Sequence, residues 1–201
     1  MNSTNQTEDT NHMNVYDFDN TIYRGESGIH MFWEFIKRRP SLLRYVPRVV
    51  RGVIAYKAGR IGIEDALARV GGVVAACLAE ASEDIAADAR EFWDKHQKRI
   101  YPFYKDLHRP DDLIISAGPE QSLREICARL GVKRYIGTVI NEETRQLDFV
   151  CFRENKVKAF QAHYPGEIIE NFYTDSMNDK PLMDISKHVF LAKKGKLTQI
   201  K

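Results

Sequence analysis

The sequence predicts an α/β fold, in which a three-layer, Rossmann-like parallel sheet forms the core and a helical cap is inserted after the first strand. Three observations support this prediction. The apolar run in VYDFDNTI precedes a long stretch with helical periodicity, and the second half of the chain alternates short apolar runs with helical segments. With 201 residues, 43% of them hydrophobic, the chain suits one core with a modest insertion.

The core elements follow one another in a regular order. The first strand ends at Asp17, and DDLIISAG, which ends in glycine, is predicted to be a buried strand. PEQSLREICARLG is predicted to be a helix, because Pro119 suits its first turn and Gly131 its end. The remaining predictions are two strands around a polar turn in GTVINEETRQLDFVCF, a short helix in NKVKAFQAHY, a strand in EIIENFYTD, a helix or turn in NDKPLMDIS and a last strand in HVFLA.

The cap is predicted to be helical, because apolar residues recur there at helical spacing. Pro40 ends the first helix and Pro47 disturbs the second, while Ser82 caps the fourth, which has acidic residues in its first turn. The four helices are expected near 27–38, near 42–58, near 63–79 and through SEDIAADAREFWDKH.

These elements give the expected domain boundaries. Residues 1–12 are polar and lack periodicity, so they are predicted to form a disordered tail. The catalytic core is expected to comprise 13–23 and 109–201, with 24–108 as the helical cap.

The composition limits which cellular compartment and which binding partners are expected for the protein. The net charge of +2 gives no overall argument for nucleic acid, so no nucleic-acid partner is expected. The three cysteines are far apart in the sequence, with no CxxC pair and no signal peptide. This pattern is typical of free thiols in a reducing compartment and predicts a cytoplasmic protein.

Polar residues follow three predicted strands, and a lysine begins a helix between two of them. Because parallel strands end at one edge of a sheet, these groups are expected to converge there. Each group also has an ordinary interpretation, since a DxD is often a turn, a serine before Gly-Pro often a cap, and a lysine often a surface residue. Their combination in one order indicates a site made of Asp17, Asp19, Thr21, Ser116, Ala117, Lys156, Asp175, Asn178 and Asp179.

This combination resembles the haloacid dehalogenase superfamily of phosphotransferases. DFDNT at 17–21, SAG at 116–118, Lys156 and DSMND at 175–179 match its four motifs in order. The insertion directly after the first motif resembles the cap of the phosphoserine-phosphatase-like branch, subfamily IB. The resemblance implies a Mg²⁺-dependent phosphatase that hydrolyses a phosphate monoester through an aspartyl-phosphate intermediate.

The same resemblance implies a role for each acidic residue. Asp17 would be the nucleophile, and Asp19 would protonate the leaving oxygen and then activate water. Mg²⁺ would be bound by Asp17, by the backbone carbonyl of Asp19 and by Asp175, since this ion prefers hard oxygen ligands. Asp179 would bind it through water or hold the inner ligands in place, and Asn178 would orient its neighbours.

The phosphate group would be held mainly by positive charge and hydrogen-bond donors. Lys156 would neutralise the phosphoryl oxygens, and Ser116, Ala117 and Thr21 would complete the phosphate site. The cation and Lys156 would also supply the positive charge that lets two buried carboxylates lie two residues apart. Hydrolytic dehalogenases that resemble this family lack an acid at the position of Asp19, so its presence favours phosphate esters.

The substrate is expected to be set by the cap. In phosphoserine phosphatases a glutamate shortly after the first motif and a cap arginine contact the amino acid. Glu26 lies at the matching distance, and Arg69 is a gapped match to the arginine. Both residues also have structural interpretations, Glu26 as a helix cap and Arg69 as a surface residue.

The basic segment 37–60 is the most unusual part of the cap. It contains eight basic residues and no acidic ones, interleaved with apolar side chains. It is too charged to span a bilayer, but it could lie peripherally at the inner membrane surface. The alternative is a basic amphipathic helix packed against its neighbours.

Part of the chain resembles a lipid-specific group within the same branch. MFWEFIKRRPSLLRYVPRVVRGVIAYKAGR, CFRENKVKAF and the ending YTDSMNDKPLM are similar to phosphatidylglycerophosphatase C-type proteins. This resemblance implies a lipid phosphate monoester, although those proteins carry a more hydrophobic segment where this chain has arginines. A soluble phosphatase for a phosphorylated small molecule, and a non-catalytic binding module, remain alternatives.

Overall fold

The computed structural model of the protein describes residues 12–141, 143, 144 and 146–201. The predicted disordered tail therefore lies outside the described residues, except for His12, which is already the first residue of a strand. Residues 142 and 145 of the predicted polar turn also lie outside them.

A seven-stranded sheet forms the centre of the described molecule, in the order β4-β3-β2-β1-β5-β6-β7. The five central strands are parallel, and β4 and β7 pair antiparallel with their neighbours at the two edges. This arrangement confirms the predicted α/β fold. The strands are β1 His12–Tyr16, β2 Leu113–Pro119, β3 Arg134–Ile140, β4 Leu147–Phe149, β5 Ile168–Thr174, β6 His188–Lys193 and β7 Lys196–Gln199.

Five α-helices lie between β1 and β2, and the others connect the later strands. The first group is α1 Ser27–Arg38, α2 Val46–Lys57, α3 Ile63–Ala81, α4 Ile85–His96 and α5 Pro102–Leu107. The second group is α6 Glu120–Leu130, α7 Glu154–His163 and α8 Lys180–Ile185.

Four local predictions differ from the structure. Ser82 does not cap the fourth helix, because Asp84 is the N-cap and accepts a hydrogen bond from the Ala87 N–H. The single helix expected near 42–58 is a 3-10 helix, Pro40–Tyr45, followed by α2, because Pro47 sits in the first turn of α2, where its missing N–H is not needed. Helix α5 was not predicted. HVFLA is not the last strand, since Lys194 and Gly195, both with positive φ, form a tight turn into β7.

Apolar side chains cover both faces of the sheet and give the three layers. Along β1, Met13 and Val15 face α7 and α8, where Phe160 and Leu182 are buried. Tyr16 points to the opposite face, which is covered mainly by α1, α4 and α6. This alternation follows from the two-residue period of a strand.

The insertion is attached to the core at two places. Its two ends lie side by side, since Tyr23 and Ile100 form an antiparallel bridge and the Tyr101 N–H donates to Ile22 O at 2.8 Å. Helix α4 is fixed to α6 because the buried indole N–H of Trp93 donates to Ser122 O at 2.9 Å.

Helices α2 and α3 pack closely against each other. A Cβ at Gly52 of α2 would lie 2.8 Å from Val70 of α3, and one at Gly71 of α3 would lie 2.6 Å from Leu147 of β4. These contacts place the pair over the sheet edge that β3 and β4 form. Among the helices that the structure describes, none combines the length and apolarity needed to cross a membrane.

Candidate active site

The first predicted site residue, Asp17, directly follows β1. Its N–H donates to Tyr173 O at 2.8 Å, which continues the hydrogen bonding between β1 and β5. The side chain is buried at the carboxyl edge of the central strand. Its position is thus determined by the sheet itself.

A tight loop after Asp17 brings a hydroxyl back to its carboxylate. The carbonyl of Phe18 accepts hydrogen bonds from the N–H groups of Ile22 and Tyr23, and Asn20 adopts a left-handed conformation with φ of 57°. Thr21 Oγ1 then donates to Asp17 Oδ2 at 3.1 Å. Thr21 was predicted to bind phosphate, but it is fully buried and instead orients the Asp17 carboxylate.

Lys156 joins two buried carboxylates. Its Nζ lies 2.7 Å from Asp17 Oδ1 and 2.8 Å from Asp179 Oδ1, and only 2% of the residue is exposed. The second oxygen of Asp179 accepts a hydrogen bond from Thr174 Oγ1 at 2.9 Å. The end of β1, the start of α7 and the loop after β5 are therefore held together by one ammonium group.

Burial dominates the electrostatics of this group. It raises the pKa of Asp17 to about 7, while Lys156 opposes that shift and Asp179 adds to it. Burial lowers the pKa of Lys156, but the two carboxylates outweigh this effect, so the pKa stands above its usual value. Lys156 is therefore firmly protonated.

Two further carboxyl groups add negative charge at this edge. Burial raises the pKa of Asp19 to about 6, and hydrogen bonds from Ser27 oppose that shift. Burial, followed by Glu26 and Asp179, raises the pKa of Asp175 to about 6. The edge thus carries more carboxylates than Lys156 neutralises.

This donor set fits a hard divalent cation such as Mg²⁺. Within the described parts of the chain, no three His, Cys, Asp or Glu side chains form a metal cluster. The predicted set needs only two, since Asp17 and Asp175 would supply carboxylates and Asp19 a backbone carbonyl. Asp17 pairs with Tyr173, two residues before Asp175, so these donors belong to neighbouring strand ends.

The irregular carboxyl end of β2, residues 116–118, carries two of the predicted phosphate-binding residues, Ser116 and Ala117. Ser116 Oγ accepts a hydrogen bond from Gly118 N–H at 3.1 Å, which leaves its own hydrogen available as a donor. Ala117 O accepts from Thr138 Oγ1 at 2.7 Å. Gly137 lets β3 approach this end of β2, because a Cβ there would lie 2.9 Å from Gly118 O.

The remaining predicted residues lie farther from the lysine. Glu26 precedes α1, makes no side-chain cap and accepts a hydrogen bond from Asn20 at 2.6 Å. Asn178 is exposed, and its backbone N–H donates to Ser176 Oγ. Arg69 is exposed on α3, and the structure does not bring it to the site.

Sequence reasoning missed three supporting residues. Ser27 N–H donates to Asp19 Oδ1 at 2.8 Å, Thr174 donates to Asp179, and Thr138 of β3 donates to the carboxyl end of β2. Thr174 directly precedes the DSMND motif, so a search for hydroxyls beside the acidic residues would have found it. The contacts of Ser27 and Thr138 depend on tertiary packing, so the sequence near these residues did not indicate them.

A family model described as haloacid dehalogenase-like hydrolase matches residues 15–184. The chain belongs to this family. The match confirms the predicted superfamily and the assignment as a hydrolase. It spans all four predicted motifs, from Asp17 to Asp179. No curated protein sequence matches the chain.

Solved structures that resemble this haloacid dehalogenase-like protein confirm its fold. A protein of unknown function from Bordetella pertussis Tohama I is 22% identical, with a TM-score of 0.69 over 90% of this chain and 89% of that one. A phosphoserine phosphohydrolase-like protein from Francisella tularensis subsp. tularensis SCHU S4 is 16% identical, with a TM-score of 0.59 over 89% and 85%. A probable phosphoserine phosphatase from Vibrio cholerae is 14% identical, with a TM-score of 0.55 over 88% and 55%.

A cavity of about 510 Å³ extends from the catalytic edge into the cap. Asp19 and Glu26 are the charged residues among its described lining, and Ala117 and Gly118 belong to the carboxyl end of β2. Most of its wall is apolar. That wall comes chiefly from α1, α2, α3 and the β3–β4 edge, and it includes Phe32, Phe35, Val46, Val49, Val70, Val73, Leu78, Ile140, Leu147 and Val150.

Replacing Lys156 with methionine should destabilise the protein. The substitution leaves Asp17 and Asp179 buried without their shared counter-charge, which costs about 3–5 kcal/mol. The free energy of unfolding in urea at neutral pH measures this loss. Lys158→Met, at an exposed position of the same helix, is the control and should change stability by less than about 0.5 kcal/mol. Equal stability of the two variants would contradict the role given to the ammonium group.

Proposed function

We propose that the protein is a phosphate monoester hydrolase that works through an aspartyl-phosphate at Asp17. The observation that carries this proposal is the buried Asp17–Lys156–Asp179 arrangement at the strand edge, with Asp19 beside it. Thr21 and Lys156 each contact one oxygen of the Asp17 carboxylate, and each oxygen keeps a lone pair. The group is therefore oriented without being blocked as a nucleophile.

The reaction follows from these positions in two steps. An oxygen of Asp17 attacks phosphorus, the bond from phosphorus to the ester oxygen breaks, and Asp19 gives its proton to the leaving alkoxide. A water molecule then attacks the phosphorus of the acyl phosphate and gives its proton to Asp19. Phosphate leaves, and the Asp17 carboxylate is restored. Lys156 and the Ser116 hydroxyl would stabilise the negative charge on the phosphoryl oxygens throughout.

Mg²⁺ is the proposed cofactor. Asp17, the backbone carbonyl of Asp19 and Asp175 would hold it, with Asp179 keeping Lys156 in place nearby. When bound, the ion supplies positive charge against the phosphoryl group, and the excess of carboxylates at this edge supports its presence. The protein's own part is to fix the carboxylate positions through the strand ends.

The proposed substrate is a phosphate monoester whose alcohol part carries an apolar chain, as in a lipid phosphate. The apolar cavity supports this proposal, because it begins at Asp19 and continues between the cap helices. The sequence resemblance to phosphatidylglycerophosphatase C-type proteins points in the same direction. A phosphoserine-like substrate is less well supported, since Arg69 is exposed and does not line the cavity.

Asp17→Asn should reduce turnover of a generic aryl phosphate by at least about 1000-fold, because an amide is a poor nucleophile toward phosphorus. Release of inorganic phosphate in the presence of Mg²⁺ measures the rate. Asp111→Asn, at an exposed position before β2, serves as the control and should retain wild-type activity. Near-wild-type turnover in Asp17→Asn, with deamidation excluded by mass spectrometry, would remove Asp17 from the mechanism.

Loss of a metal ligand should raise the requirement for Mg²⁺. Asp175→Asn is expected to increase the Mg²⁺ concentration for half-maximal activity by at least about tenfold, and EDTA should abolish wild-type activity reversibly. The rise in melting temperature on adding Mg²⁺ gives a readout that does not depend on turnover. Asp106→Asn, on exposed α5 surface, is the control. Full activity in EDTA would contradict the assignment of a metal.

The catalytic efficiency should increase with the length of the substrate's alkyl chain. Each methylene group that enters the cavity should raise kcat/KM by up to about fourfold, and the gain should stop when the cavity is full. A series of straight-chain alkyl phosphates measures this dependence. Val49→Phe, which fills cavity space, should remove the gain for long chains and leave methyl phosphate hydrolysis unchanged. A flat series, or better hydrolysis of phosphoserine, would favour a small soluble substrate instead.

A further inference from the structure

The cavity opens to solvent between three cap helices. Three large apolar side chains of its lining are also exposed: Ile29 of α1 is 55% exposed, Val50 of α2 is 46% and Val74 of α3 is 38%. Each helix contributes one of them, so together they mark an apolar opening. An apolar group could therefore enter the cavity here without passing a polar rim.

Apolar side chains continue outward from this opening. Trp33 lies one turn beyond Ile29 on α1, and Ile54 lies one turn beyond Val50 on α2. Both are at least half exposed. Of the eleven large hydrophobic side chains that are exposed in the described part of the chain, seven lie between Ile29 and Val74. Such concentration marks an interaction surface, since scattered single residues are the ordinary case. We call Ile29, Trp33, Val50, Ile54 and Val74 the mouth surface.

The basic residues of segment 37–60 fall into two groups. Those that precede α2 are paired within the chain, since Arg38 lies 2.6 Å from Asp88 of α4, and Arg44 pairs with Glu80 of α3. Those on α2 are different. Exposed Arg48, Arg51 and Lys57 have no partner among the described side chains.

Among the side chains that the structure describes, no acidic residue neutralises the charge on α2. No acidic residue occurs anywhere in the segment, and the whole chain carries only +2. The excess positive charge is thus concentrated on the helix that borders the opening. A second copy of this chain would bring like charges together, whereas an anionic lipid surface complements both the charge and the apolar side chains.

We propose that the mouth surface docks on an anionic lipid bilayer, with α2 lying in the plane of the interface. Its 12 residues span about 18 Å, which is shorter than the bilayer's hydrocarbon core of about 30 Å. The mouth surface enters the boundary between headgroups and acyl chains, and Arg48, Arg51 and Lys57 contact lipid phosphates. The docking itself does not depend on the proposed function. Entry of the substrate from the bilayer through the opening does rest on it.

Co-sedimentation with vesicles tests the docking independently of catalysis. The wild-type protein and Asp17→Asn should bind vesicles of phosphatidylcholine mixed with phosphatidylserine, and bind phosphatidylcholine alone much more weakly. High salt should weaken the binding, because exposed charges are screened. Binding by both proteins supports the docking even if aryl phosphate is not hydrolysed. Hydrolysis without any preference for anionic vesicles would overturn the docking and leave the phosphatase proposal standing.

Charge-matched variants locate the surface. Replacing Arg48, Arg51 and Lys57 together with glutamine should weaken binding about 100-fold, at roughly fivefold per residue. The control replaces the exposed Lys105, Lys133 and Lys196 with glutamine, giving the same net charge, and should bind as the wild type does. An equal loss in both triple variants would overturn the proposal, because the attraction would then depend only on overall charge.

Two matched variants, each replacing one exposed isoleucine with serine, test the apolar side chains of the mouth surface. Ile54 is 57% exposed and does not line the cavity, so Ile54→Ser should weaken vesicle binding without altering aryl phosphate hydrolysis. Ile200 is 50% exposed near the carboxyl end, and Ile200→Ser should have no effect on either. Unchanged binding by Ile54→Ser would overturn insertion at α2. The proposal would also be overturned if the wild-type protein bound no vesicles and instead associated with itself, and if Ile54→Ser abolished that association. The mouth surface would then bind a second copy of the chain.

Discussion

The buried ammonium group of Lys156 between Asp17 and Asp179 is the contact on which the site depends. Asp17 and Lys156 are 139 positions apart in the sequence, so only the completed core brings them together. Removing one partner of a buried ion pair leaves an uncompensated charge, so none of the three side chains can leave without a large cost. The same contact therefore stabilises the core and holds the proposed nucleophile, which would couple folding to the geometry of catalysis.

The order of the strands explains why the site forms where it does. β1 lies between β2 and β5, so the carboxyl ends of these three strands are neighbours at one edge. The two ends of the cap insertion meet beside that edge, which brings α1 close to Asp19 through the Ser27 N–H. The cap thus contributes to the catalytic edge at its base and forms an apolar chamber farther away.

Much of this could be predicted from the sequence, because the motifs are local and their order follows the strand order. The convergence of Asp17, Ser116, Lys156 and Asp175 at one edge required only the rule that parallel strands end together. What the sequence could not reveal depends on distant partners. Arg44 looks like Arg48 in the sequence, yet Arg44 pairs with Glu80, 36 positions away. The cavity depends likewise on how α1, α2 and α3 pack, and periodicity does not determine that packing.

The bridge between Tyr23 and Ile100 has a consequence for how such a protein can diversify. Because the core already holds the two ends of the insertion together, closing a longer loop costs little extra entropy, about 0.6 kcal/mol for each doubling of its length. Helices α2 and α3, which lie between α1 and α4 in the insertion, can therefore gain or lose turns while the lysine and its two carboxylates keep their positions. Selectivity for the alcohol part of the substrate and the chemistry at phosphorus can accordingly change independently.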